Sequence, residues 1–204
     1  AGDYNIFLGY NAGNETTTGN VNFYGGYAAG RCMQTGCWNV AIGCGALNGG
    51  SSTPATNTGE SNIAIGREAG KKVTSGDNNI AIGNYVMTGS NTSGDGNISI
   101  GGHSALNLAD GNWHIFIGCC AGTSQTTAEH DVFIGYLAGG CNDDIGYNVA
   151  IGCRAGRDVD GADNVFLGRG AGAYVSHSSS NACKNTFLGA CAAYSAGVTD
   201  DGSC

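Results

Sequence analysis

The chain has almost no proline: Pro54 is the only one in 204 residues. It is also short of positive charge, with eight Lys and Arg against sixteen Asp and Glu and a formal net charge of −8. The longest basic run is Lys71-Lys72. Phosphate backbones are bound by clustered cations, so charge argues against a nucleic-acid partner and against an anionic membrane surface. No apolar stretch approaches the ~20 residues of a membrane helix, and no membrane insertion is expected. No Cys-x-x-Cys pair occurs, which removes ordinary zinc spacing. Glycine does not recur every third residue, which excludes collagen. No segment keeps apolar residues at helical spacing without a glycine interrupting it, so helices are disfavoured. No signal peptide is visible; the chain opens inside a repeat, as a processed or truncated amino terminus would.

What the chain does have is glycine, 38 residues of it, placed on a schedule. A phrase recurs eleven times: Asn, aliphatic, Phe or Ala, Ile or Leu, Gly, any, any, Ala, Gly, as in Asn62-Ile-Ala-Ile-Gly66 and Asn164-Val-Phe-Leu-Gly168. Its key glycines are Gly9, Gly26, Gly43, Gly66, Gly83, Gly101, Gly118, Gly135, Gly152, Gly168 and Gly189. They are separated by 17, 17, 23, 17, 18, 17, 17, 17, 16 and 21 residues. A fixed period of this size marks stacked units rather than a globule. The expected fold is all-β: a single β-solenoid or β-roll of about eleven coils with a period near 17 residues. Residues 1–193 form the array, and 194–204 a short C-terminal tail anchored by a disulfide.

Each unit supplies a short strand by alternation, Ile6 and Leu8 pointing one way and Asn5 and Phe7 the other. The key glycine marks a bend that needs positive φ or close backbone approach. Three residues later nine units carry Ala, which lets a thin coil close. The leading Asn recurs at Asn5, Asn22, Asn39, Asn62, Asn79, Asn97, Asn148, Asn164 and Asn185, with His114 and Asp131 in the other two units. Stacked Asn side chains hydrogen-bond along a solenoid axis as amide ladders do, and a residue needed in every coil is structural rather than catalytic. The strand-centre positions Phe7, Tyr24, Phe116, Phe133, Phe166 and Phe187 alternate with Ala41, Ala64, Ala81 and Ala150. Two readings stand for them: an outward face for contact between chains, or a coil with both faces internal.

The ten cysteines are Cys32, Cys37, Cys44, Cys119, Cys120, Cys141, Cys153, Cys183, Cys191 and Cys204. The even count suggests disulfides and an extracellular setting. Neighbouring coils lie ~4.8 Å apart, within what a disulfide tolerates, so Cys183 with Cys191, and Cys141 with Cys119, Cys120 or Cys153, are candidate pairs. The alternative is free thiols packed as small hydrophobes.

Candidate chemistry is sparse. Asp158, Asp160 and Asp163 on a glycine turn offer hard oxygen ligands for calcium, as do Asp143-Asp144 and Asp200-Asp201 more weakly, but without the closing Glu of an EF-hand. No other cofactor is expected. Asn14 and Asn91 head loop sequons and are glycosylation candidates; Asn97 heads a third inside a ladder position. His103, His114, His130 and His177 form no metal-ligand pair, and no Gly-x-Ser-x-Gly occurs. No enzyme is expected.

The phrase Asn-x-Ala-Ile-Gly-x-x-Ala resembles the head repeats of trimeric autotransporter adhesins. It is more similar still to the Gly- and Asn-rich repeats of marine bacteriophage fibre proteins, which also carry cysteines beside the motif glycine. The resemblance spans Asn5 to Ala193. It implies a β-roll or β-solenoid with structural or adhesive duty. The adhesin repeat is shorter, so a trimer is an alternative rather than an inheritance. The ending Thr199-Asp-Asp-Gly-Ser-Cys204 resembles the end of a short cysteine-bearing module in secreted proteins of aquatic bacteria.

Repeats begin at Asn5 and run to Ala193, so both ends read as open to another coil. The expectation is a subunit of an extracellular filament that stacks head to tail as a homopolymer, with intersubunit disulfides. The second reading is an adhesin or fibre module that binds a surface glycan through rim loops, near Trp38 or Trp113. Ice binding is a third, hinted at by Thr16-Thr17-Thr18, although threonine does not recur at one position in successive coils.

Overall fold

The computed structural model describes residues 2–49, 57–141, 146–158, 161–174 and 183–194. Every repeat contributes one three-residue strand: β1 (Ile6–Leu8), β2 (Phe23–Gly25), β3 (Val40–Ile42), β4 (Ile63–Ile65), β5 (Ile80–Ile82), β6 (Ile98–Ile100), β7 (Ile115–Ile117), β8 (Val132–Ile134), β9 (Val149–Ile151), β10 (Val165–Leu167) and β11 (Thr186–Leu188). They form one parallel sheet in sequence order, from β1 at one edge to β11 at the other. Registers align equivalent residues, as in Ile65↔Ile82 and Ile82↔Ile100. The expected β-solenoid is therefore the fold. At ~4.8 Å per step the sheet runs roughly 50 Å.

Asparagine joins the coils. At each of the ten junctions, the backbone N–H of the ladder residue donates to the side chain of its equivalent one coil earlier, at 2.8 to 3.1 Å. In the first six coils the remaining amide function is also committed: Asn62 Nδ2 donates to the Gly76 carbonyl at 2.8 Å, and Asn79 Nδ2 to that of Gly94 at 2.9 Å. From Asn22 to Asn164 the ladder residues are buried. In a buried site such pairing avoids the cost of an unmet polar group, about 1–3 kcal/mol each.

His114 fills an Asn position by imitation. Its Nε2 lies 2.6 Å from the Ala128 carbonyl, which only accepts, so Nε2 carries the proton. Its Nδ1 accepts the Asp131 N–H at 3.1 Å. The neutral ring thus supplies the donor and acceptor of an amide. Asp131 imitates only half. Its Oδ1 accepts the Asn148 N–H at 2.8 Å, whereas its Oδ2 is buried with no hydrogen-bond partner.

The glycine after the strand is required twice over. Gly101 has φ of +126°, where L side chains are strained, and a Cβ on it would lie 2.6 Å from the Gly118 carbonyl oxygen. That contact is with backbone, so no rotamer change relieves it. The chain then turns: the Ala121 N–H reaches the Gly118 carbonyl at 3.3 Å, and the Gly122 N–H reaches the next coil at Ala138.

Strand centres point inward. Tyr24, Ala41, Ala64, Ala81, Phe116, Phe133, Ala150 and Phe166 are all buried, at 2% exposure or less. This settles the two readings of that face. It is neither a contact surface between chains nor one of two internal faces, because its strand neighbours point outward. Volume is balanced within a coil or between adjacent coils. The coils centred on Phe7, Tyr24, Phe116, Phe133 and Phe166 have glycine four residues after the motif glycine, and a Cβ on Gly122 would come 2.8 Å from the Phe116 ring. Of the coils with an alanine centre, those of Ala41 and Ala81 place Leu47 and Met87 there, both fully buried, whereas those of Ala64 and Ala150 keep Gly70 and Gly156, whose would-be Cβ atoms meet Leu47 and the Phe166 ring of adjacent coils. Large and small residues thereby exchange places across the thin interior and keep it dense.

Tyr24 is the one phenol in the central column. Its ring stacks on Phe7 with centroids 5.1 Å apart, and its buried hydroxyl lies beside the Asn39 side chain without a hydrogen bond of good geometry. Tyr24→Phe is expected to stabilise the fold by about 1 kcal/mol, since it removes an unsatisfied hydroxyl while keeping the stack. Urea denaturation checks this; a loss of stability would mean the hydroxyl is bonded in solution.

Candidate interaction surface

The outward face follows from the inward one. Because strand residues alternate, fixing Asn and the strand centre inside sends the two flanking aliphatics out. One outward column reads Val40, Ile63, Ile80, Ile98, Ile115, Val132, Val149 and Val165, and the other Ile42, Ile65, Ile82, Ile100, Ile117, Ile134, Ile151 and Leu167. No charged residue interrupts either column between β1 and β11. All sixteen are half-buried or exposed, and Ile42, Ile65, Val165 and Leu167 are 37–42% exposed. The result is a two-column apolar stripe along one side of the sheet.

One edge of this stripe is lined by the residue before each ladder position. Ten of these residues are non-glycine in the left-handed region, among them Val21 (φ +58°), Trp38 (+57°), Trp113 (+61°) and Tyr147 (+65°). The conformation turns the following Asn inward and leaves its own side chain outside. Trp38, Trp113 and Tyr147 are 57–58% exposed. Of these rings, His130 and Tyr147 lie parallel along the axis, at 5.1 Å and 6°. Rings stacked this way present edges to solvent, not open faces.

The other edge follows the motif glycine and holds Tyr10 stacked on Tyr27 at 5.6 Å, and Arg67 over Tyr85 at 5.1 Å. Cys44, Cys119 and Cys153 stand in this column and are exposed. All nine described cysteines are free thiols, and only Cys32 is buried. None of the expected pairs is formed within the chain, and register gives the reason. Cys183 precedes β11 and Cys191 follows it, which puts them on different corners of a coil. Cys141 lies past the turn of its coil, whereas Cys119, Cys120 and Cys153 sit directly after the strand. Cys37 accepts the Asn20 N–H at 3.3 Å. Cys119 and Cys120 sulfurs are 3.5 Å apart and unbonded. Cys204 lies outside the described residues.

Of the calcium candidates, Asp160, Asp143, Asp144, Asp200 and Asp201 lie outside the described residues. Asp158 is beside Arg157, at 4.0 Å. Asp163 occupies the left-handed position before Asn164, with φ of +61°, where other coils carry Trp38 or Tyr147. Among the described residues no group of three or more His, Cys, Asp or Glu is placed to hold a metal ion. Asn14 and Asn91 are exposed and Asn97 is buried in the ladder. His177 and most of the C-terminal tail, residues 195–204, lie outside the described residues. No described helix is long and apolar enough to cross a membrane.

Among the described residues Asp131 is the group whose protonation the fold moves into the neutral range. Burial pushes its carboxyl from an ordinary value up to about 7, against the opposing pull of hydrogen bonds from Asn148. Its Oδ2 lies 3.6 Å from His114 Nδ1. The pair sits inside the coil, away from any surface a substrate would reach, and belongs to the ladder.

The sequence defined both strand faces but not which was outside. A partial signal was present: five of the six aromatic strand centres have glycine four residues after the motif glycine, and Leu47 and Met87 stand there only in coils with an alanine centre. Such exchange is expected only between residues that share an interior. No family model matches the chain, and neither a curated protein nor a solved structure shows significant similarity to it.

Proposed function

We propose that the chain is a structural subunit of a homo-oligomeric fibre, in which solenoid rods pack laterally through the outward aliphatic stripe. The observation that supports this is the stripe itself: two uncharged columns of Ile, Val and Leu along the sheet, left half-exposed. Monomeric proteins rarely expose contiguous apolar patches beyond a few hundred Å². A stripe roughly 50 Å long and 10 Å wide covers about 500 Å² per rod, and two rods would bury about 1,000 Å², the lower bound for a specific interface. Trp38, Trp113 and Tyr147 on its edge widen the area. The occupant that fits is a second copy of this chain, because equal ~4.8 Å spacing lets aliphatic ridges of two rods interlock along their length.

Axial growth is a further part of the reading. Gly189 in the last described coil has nothing within 4 Å of its would-be Cβ, where interior motif glycines meet the next coil. Another coil, of this polypeptide or a second copy, fits there. The exposed thiols Cys44, Cys119 and Cys153 are positioned for bridges between rods in an extracellular, oxidising setting.

The test places charge on the stripe. Ile82→Lys with Ile117→Lys is expected to convert an oligomer to monomer in sedimentation velocity, with an unchanged circular dichroism spectrum. Thr17→Lys, at an exposed turn, is expected to leave the oligomer intact. A monomeric wild type, or a double variant that still assembles, would refute the proposal.

A further inference from the structure

The position two residues past the motif glycine carries an outward side chain in most coils. Tyr85, His103, Cys120, Leu137, Arg154 and Cys191 occupy it, each left-handed with φ of 55–59°. In the tenth coil it is Gly170. The missing side chain leaves a gap in the column between Arg154 and Cys191. Tyr194 closes one side: a Cβ on Gly170 would meet its ring at 2.8 Å. The outcome is a cavity of about 300 Å³ lined by Cys153, Arg154, Arg169, Gly170, Cys191 and Tyr194.

Its walls are fixed by inter-coil backbone bonds. Arg154 N–H donates to the Tyr136 carbonyl at 2.8 Å, Gly170 N–H to that of Cys153 at 2.9 Å, and Cys191 N–H to that of Arg169 at 2.8 Å. Tyr174 meets Tyr194 edge-on at 5.3 Å and holds the ring in place. The charge is unusual for this molecule. Two of only eight cationic side chains converge here. Arg31, Lys71 and Arg157 each have a carboxylate within 4.0 Å, but among the described residues neither Arg154 nor Arg169 does. The nearest partner recorded for Arg169 is the weakly accepting Cys191 sulfur, 3.9 Å from Nη2. Gly45 leaves the same gap in the third coil, but its neighbour there is Glu68 rather than arginine.

We propose that this cavity binds a single acidic sugar residue, its carboxylate or sulfate ester held by Arg154 and Arg169 and its ring laid against Tyr194. Guanidinium groups pair with planar or tetrahedral oxyanions through two parallel N–H donors, which gives orientation as well as attraction. A space of about 300 Å³ is at the small end of ligand pockets and suits one ring rather than a chain. The aromatic wall supplies the apolar contact that a free inorganic anion would not use. The cavity lies past the motif glycine, beside the aliphatic stripe rather than on it; of its lining only Cys153 is also a candidate bridge between rods, and Arg154, Arg169 and Tyr194 take no part in the proposed lateral packing.

The experiment is calorimetric titration of the full chain with a methyl sialoside, galactose 6-sulfate, galactose and inorganic sulfate. Both acidic sugars are expected to bind at least about tenfold more tightly than galactose or inorganic sulfate. Arg154→Gln and Arg169→Gln should each weaken them at least about fivefold. Gly170→Asn fills the gap with a residue that tolerates left-handed backbone and keeps both arginines, and it should abolish binding. Absence of binding by either acidic sugar, equal binding of galactose, or insensitivity to the arginine variants would overturn the proposal. Inorganic sulfate binding as tightly as the acidic sugars would overturn the assignment to a sugar.

Discussion

Gly101→Ala will disrupt the stack at its middle, while Gly189→Ala will not. The two glycines have nearly the same backbone, with φ of +126° and +122°. A methyl group at either brings a similar conformational strain, about 1–3 kcal/mol. Their surroundings differ. At Gly101 the new Cβ would lie 2.6 Å from the carbonyl oxygen of Gly118, whereas at Gly189 it meets nothing within 4 Å. Only separation of two coils relieves the first clash, and separation breaks the ladder bond from the His114 N–H to Asn97 Oδ1 and the strand pairing of β6 with β7. Overpacking of this kind adds about 1–3 kcal/mol beyond strain, and more where backbone must move. Thermal denaturation and hydrogen exchange should place Gly101→Ala at least about 3 kcal/mol below Gly189→Ala, with lost protection centred on the sixth and seventh coils. Equal effects would mean that φ alone, and not coil-to-coil approach, selects glycine.

Asp131→Asn is expected to stabilise the protein, increasingly as pH rises. In the fold the carboxyl of Asp131 stays protonated to about pH 7 because it is buried. In the unfolded chain it ionises near the ordinary carboxylate value of about 4. Between these values the folded state holds a proton the unfolded state has released, so stability attributable to this residue falls as pH rises from about 4 to 7. Below that window both states are protonated and the residue has no cost; above it the cost is complete. A shift of about three pKa units corresponds to on the order of 4 kcal/mol. His114 is the ionisable neighbour, 3.6 Å from Oδ2. Its Nδ1 accepts the backbone N–H of residue 131, a contact that the substitution leaves in place. Asparagine restores the amide used in nine other coils. The difference in unfolding free energy between variant and wild type should therefore be small at pH 4 and several kcal/mol by pH 8. A difference independent of pH would show that Asp131 is ionised in the fold.

These two results bear on how far the molecule could be read from its sequence. The period, the parallel stacking and the Asn ladder were legible because each depends on a residue type repeated at one position, and repetition is visible without coordinates. Asn62 and Asn79 play the roles their recurrence implied. The exceptions were harder. His114 and Asp131 appeared only as replacements; that one reproduces an amide's donor and acceptor while the other lacks the donor is a matter of geometry inside the coil. The orientation of the strand was hidden for a different reason. Both faces are apolar, so alternation separates Ile82 from Ala81 without saying which is exposed. Cysteine count was misleading within the chain because the sulfurs sit on different corners. The cavity beside Arg154 and Arg169 depends on an absent side chain at Gly170, a feature with no sequence signature until columns are aligned in space.

Lateral packing of rods through the aliphatic columns is most directly tested by electron cryomicroscopy of the native assembly. The account predicts rods side by side with their Ile65 and Ile82 columns facing one another across a sheet-to-sheet spacing of about 10 Å. Rods that touch only through their opposite sides, with both columns facing solvent, would contradict it.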